Sequence, residues 1–164
     1  MTVLIGGVGY TFLRDHSVGL EVIQRLAALS WPDDVRIEDV SYGPVAAVHH
    51  FREILLPDDR VILIGAAKRG RTPGEVYHYR WEGILPEDAE VQARVVEAVT
   101  GVISLDNLLI VATRFGALPR DVLVIEVEPE DESWGAGFTP AVEQAIDTVI
   151  ATVRQEVLGS EVLG

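Results

Sequence analysis

Three stretches of this chain are almost wholly apolar: Val3 to Val8, Arg60 to Ala66 (RVILIGA) and Val122 to Val127. A strand that never alternates with polar residues has to be covered on both faces, which is the condition of a central strand in a parallel sheet. The segments between them carry the helical period. Val18, Val22, Leu26 and Leu29 place a helix over 15–29, and Val91, Val95 and Val99 place one over 87–99. A further short helix fits 104–115. After Thr139-Pro140, residues Val142, Ala145, Ile146, Val149, Ile150 and Val153 share one face of a last helix. Val35, Ile37 and Asp39 alternate with charge, Pro44 suits the first turn of a helix over 45–55, and the aromatic, alternating Glu75 to Trp81 reads as a strand nearer an edge. Strands alternating with helices predict a three-layer α/β/α fold on a mainly parallel, twisted sheet. No linker or repeat divides residues 1–164, so one domain is expected, with the tail at 158–164 fraying.

Composition narrows the function classes. The chain has 13 Lys and Arg against 26 Asp and Glu, a formal net charge of −13. Such a surface repels nucleic acid and anionic membranes, and a basic partner surface suits it better. There is no cysteine, which excludes disulfides, thiolate ligands and cysteine nucleophiles. No apolar run reaches the length of a membrane span and no secretory signal pattern opens the chain, so a cytoplasmic protein is expected.

In sheets of this kind the site lies off the C-terminal strand edge. Three segments should converge there: residues 7–19, the loop after Gly65 and the loop after Val127. The first, Gly7 to Gly19 (GVGYTFLRDHSVG), could be a phosphate loop. It has Gly7-x-Gly9 but Phe12 where a dinucleotide fingerprint needs its third glycine, and Asp15 would repel a phosphate. Capping and strand-end roles account for Asp15 and Asp39, although a shared-proton carboxylate pair is a conceivable use of both. Ser17 and Ser41 lack any nucleophile motif. His49 and His50 read as a solvated pair, His78 as a strand residue. Lys68-Arg69-Gly70-Arg71 is a basic run on an acidic protein.

The same loop resembles the opening of the hydrogenase maturation proteases, endopeptidases that trim the C-terminal tail of nickel–iron hydrogenase large subunits. Their turn has the form Gly-Ile/Val-Gly-Asn-x-Leu-x-x-Asp-Asp/Glu-x-apolar-Gly. Gly7, Gly9, Asp15, Val18 and Gly19 match it without a gap, while Tyr10 replaces the asparagine and His16 the second acid. Ile37 to Gly43, Ile64 to Ala67 with Pro73-Gly74, and above all Val124 to Val142 (VIEVEPEDESWGAGFTPAV) resemble later family segments in the same order. The resemblance covers nearly the whole chain and implies the three-layer fold.

It also implies a metal-reading trio: a first-loop carboxylate, an aspartate ending the third strand and a histidine before the penultimate helix. Carried over, these positions are His16, Ala66 and about Gly101. Imidazole is still a ligand, so His16 stays a weak metal candidate, but a methyl group and a hydrogen donate nothing. The expectation is therefore that no cofactor binds tightly, with the partner's nickel the most the pocket would meet. The chain is expected to engage a hydrogenase large-subunit precursor, or a similar metalloprotein, as a non-cleaving pseudoprotease or chaperone. The alternative is an active, divergent endopeptidase with Asp15 and His16 as catalytic candidates. Tyr10, Arg69, Arg71 and Trp134 are the expected partner contacts, whereas Phe12 is expected to pack inward.

Overall fold

The computed structural model describes residues 1–159. Its sheet contains β1 (Val3–Val8), β2 (Val35–Asp39), β3 (Arg60–Ala66), β4 (Val76–Arg80) and β5 (Asp121–Val127), in the order β2-β1-β3-β5-β4. β1, β2, β3 and β5 run parallel, and β4 is antiparallel to β5 at one edge. The three apolar runs are thus the three central strands. The half-exposed pattern of β2 and β4 fits their edge positions.

The helices are α1 (Val18–Ala27), α2 (Pro44–Ile54), α3 (Asp88–Val99), α4 (Leu105–Arg114) and α5 (Pro140–Leu158). Alternate residues of each central strand point to opposite layers. Val3, Ile5, Ile62, Ile64, Leu123 and Ile125 pack with Val18, Val22 and Leu26 of α1 and with Val142, Ile146, Val149 and Val153 of α5. Leu4, Val61, Leu63, Val122 and Val124 pack on the other side with Phe51 of α2 and Leu105, Leu108 and Leu109 of α4. The tail expected to fray begins at Leu158, which closes α5; residues 160–164 lie outside the described residues.

The sheet order reverses between β1 and β3, so the connection after β1 stands at the switch point where such sheets place their sites. The helix expected over 15–29 is shorter and begins differently. Arg14–Ser17 forms a 3-10 turn, and regular helix starts only at Val18. Close approach to the sheet explains the tight entry. A Cβ on Gly19 would lie 2.5 Å from the carbonyl oxygens of both Val8 and Ile64, so only glycine lets the first turn of α1 rest on β1 and β3. Both blocking atoms are backbone. Gly19→Ala should accordingly destabilise the protein by about 3 kcal/mol in urea denaturation, whereas a change in open space, Gly70→Ala, should cost little beyond its left-handed backbone.

Candidate functional site

Asp15 is fully buried in the 3-10 turn and does not face an open cleft. Its Oδ2 accepts hydrogen bonds from the backbone N–H groups of Glu130 and Asp131 at 2.9 Å each and from the Thr139 hydroxyl at 2.8 Å. Its Oδ1 accepts the Thr139 N–H at 2.9 Å. One carboxylate therefore organises the whole connection from β5 to α5. Thr139 occupies the N-cap position of α5, but its hydroxyl makes no cap bond and donates to Asp15 instead.

The backbones of the two loops are zipped as well. Gly135 N–H donates to Phe12 O at 2.7 Å, Asp15 N–H to Asp131 O at 3.0 Å, and Leu13 bridges to Gly135. Phe12 and Arg14 have φ of +62° and +44°, left-handed values that non-glycine residues rarely adopt. Phe12 is consequently turned outward and is 58% exposed, against the expectation that it packs inward. It lies beside Trp134, 78% exposed, with ring centroids 5.8 Å apart.

Tyr10 lies on the other side of the loop, half-buried. Its ring meets the His16 imidazole edge-on at 5.2 Å, and its hydroxyl accepts the Ile103 N–H at 2.7 Å, which ties the first loop to the segment leading into α4. His16 Nε2 is 3.8 Å from Glu132, and its Nδ1 is buried with no hydrogen-bond partner among the described residues.

Arg69 and Arg71 are held by the protein's own carboxylates. Asp106 receives both terminal nitrogens of Arg69 at 2.7 and 2.8 Å, and Glu126, buried on β5, receives Arg69 at 2.8 Å and Arg71 at 2.9 Å. Glu128, also buried, accepts the backbone N–H groups of both residues at 2.8 Å. Arg71 lies over the Tyr77 ring at 4.2 Å, and the Tyr79 hydroxyl donates to Glu126 at 3.2 Å. Burial pushes the Glu126 carboxyl up, but the hydrogen bonds and charges of Arg69 and Arg71 outweigh it and hold Glu126 below the usual carboxylate range. Burial, then the Glu126 charge, raises the Tyr79 phenol. The basic run thus staples the loop after β3 to β5. Glu126 and Glu128 went unnoticed as site residues in the sequence, although Glu126 is an acid inside an otherwise apolar strand.

The remaining candidates are dispersed. Ser41 Oγ accepts the Gly9 N–H at 3.0 Å and donates to Gly7 O at 3.3 Å, bracing the end of β1. Asp39 accepts the Ser41 N–H at 2.8 Å, away from the donors that occupy Asp15. Ser17 Oγ donates to Arg14 O at 2.6 Å. His50 Nε2 lies 2.7 Å from Glu38, while His49 and His78 are exposed. Ala66 ends β3, and Gly101 has φ +85°, a glycine conformation just after α3. Among the described residues, no three His, Asp or Glu side chains converge as a metal-binding group.

Comparison with known proteins places this arrangement. A family model described as hydrogenase maturation protease matches residues 20–156. The chain belongs to the hydrogenase maturation protease family. The match opens directly after the loop that carries Tyr10 and His16. The hydrogenase 2 maturation protease of Escherichia coli strain K12 is 26% identical over 161 residues, spanning 94% of this chain and 92% of its own. The solved hydrogenase maturating endopeptidase from E. coli superposes with a TM-score of 0.73 at 26% identity, covering 98% of this chain and 94% of that one. The hydrogenase 2 maturation peptidase of a Thaumarchaeota archaeon shares the fold, with a TM-score of 0.69 at 22% identity over 98% and 100% of the two chains. No helix among the described residues is long and apolar enough to cross a membrane.

Two measurements check this family member's site. Asp15→Ala strands four donors and should cost about 3 kcal/mol or more in urea denaturation, with Asp15→Asn intermediate because its amide oxygen still accepts. Because Glu126 titrates lower folded than unfolded, its stabilisation is complete above the ordinary glutamate range and is lost as pH falls through the depressed value. Glu126→Gln should flatten the fall in stability below about pH 4.5 seen in acid titration of the unmodified protein.

Proposed function

We propose that this family member engages the large-subunit precursor of a nickel–iron hydrogenase, or a similar metalloprotein precursor, and holds it without cutting its tail. The observation that carries the reading is the donor set. Ala66 and about Gly101 stand where the family resemblance requires an aspartate and a histidine; Ala66 carries no donor, and no histidine follows His78 in the sequence. Binding through one imidazole, His16, leaves too few ligands for a tight divalent site. Asp15, the remaining carboxylate of the loop, is fully committed to the β5–α5 connection. Ser17 and Ser41 are engaged with backbone, which supports a role other than nucleophile.

A second reading, an active and divergent endopeptidase, draws on one observation: the His16 imidazole keeps an unpartnered Nδ1 and has Glu132 beside Nε2. A histidine oriented by a carboxylate is a recognisable acid–base arrangement.

Incubation with nickel-loaded precursor, followed by mass spectrometry of its C-terminal tail, separates the two. The expected outcome is co-purification with the tail intact and no nickel binding tighter than about micromolar by calorimetry. Tail release that stops in His16→Ala establishes the endopeptidase instead, and absence of any association removes the holding role. Charge reversal at Arg69 or Arg71 is unsuitable as a docking test, because it would set new carboxylates against Glu126 and Glu128.

A further inference from the structure

The exposed Phe12–Trp134 pair is not accounted for by anything the fold needs. Two large aromatic rings in water are unfavourable, and Phe12 adds a left-handed backbone of the kind that persists only where its surroundings enforce it. The enforcement is visible: the Gly135 N–H to Phe12 O bond, the Leu13–Gly135 bridge and the Asp15 carboxylate fix both loops from below. The rings are thus presented ready for contact, with little ordering left to be done on binding.

The surroundings say what chemistry fits. In the two segments that carry the rings, 9–17 and 129–138, Arg14 is the only Lys or Arg, against Glu130, Asp131 and Glu132 beside the buried Asp15. Arg14 is already directed at Asp131, at 3.6 Å, and Glu130 is exposed. A groove of about 250 Å³ beside Phe12 is lined by Leu20 and Phe138 together with Glu21 and Gln24. Aromatic faces with surplus carboxylates attract a cation that carries an apolar stem, and arginine supplies both. The net charge of −13 steers in the same direction.

We propose that Phe12 and Trp134 form a docking clamp for an arginine-bearing, otherwise apolar segment of the partner protein, with the exposed Glu130 of the same loop as its acidic neighbour and the adjoining groove taking a neighbouring apolar side chain. The clamp deepens the holding role and rests on it for the identity of the partner, but its chemistry is testable without that partner.

The probe is a capped synthetic hexapeptide of alternating leucine and arginine, titrated into the full protein while the indole N–H resonances of its tryptophans are followed by NMR. Trp134 is assigned by the loss of its signal in Trp134→Ala. The Trp134 resonance should shift saturably, and Phe12→Ser should weaken binding about tenfold. Phe12→Ser keeps the fold in view through the unchanged signals of Trp31 and Trp81. The matched peptide with glutamate for arginine should leave Trp134 unmoved. Equal shifts with both peptides, no shift with either, or undiminished binding by folded Phe12→Ser would overturn the clamp. Failure with the peptide while the precursor still co-purifies refutes the clamp alone; peptide binding without precursor association refutes the holding role and leaves the clamp standing.

Discussion

The buried carboxylate of Asp15 is the interaction on which the rest of the C-terminal strand edge depends. An acid withdrawn from water is tolerable only when donors replace the hydration it loses, and here four donors from Glu130, Asp131 and Thr139 do so. The consequence reaches beyond the residue itself. The loop after β1 and the loop after β5 become one rigid unit, α5 is anchored at its start, and Phe12 is held with its ring in solvent. A residue in the position of a catalytic candidate acts as the strut of the site.

A second set of buried acids does the same for the opposite wall. Glu126 and Glu128 on and just after β5 draw in Arg69, Arg71 and the backbone between them. Buried ion pairs gain little net stability over apolar packing, because both partners must be desolvated, but they define one arrangement sharply. What they define is the course of the loop after β3, directly beyond Ala66. The charges next to Ala66 in the chain are spent on holding the loop to the sheet.

Much of the fold was legible because it follows from period and burial alone. The runs at Val3–Val8, Arg60–Ala66 and Val122–Val127 had nowhere to go but the middle of a sheet, and the alternating, aromatic β4 had to lie at an edge. Pro44 and Pro140 marked helix starts. The entry to α1 was less legible, since the helical period extends through residues that the close packing of Gly19 on β1 and β3 forces into a 3-10 turn. In the site, Asp15 and His16 could be picked out by type and position. The direction of Phe12 could not, because an apolar side chain reads as buried unless the φ of its own backbone turns it away.

The sequence by itself determined the layered α/β architecture and the absence of thiol chemistry. Those depend only on residue type and on spacing along the chain. The tertiary structure alone decided that the basic run at Arg69 and Arg71 turns inward, that Asp15 is a strut, and that Phe12 and Trp134 stand together in solvent. Each of these is a pairing across roughly 40 to 125 residues of chain, set by which loops the sheet order brings to one edge, and local sequence holds no record of such partners.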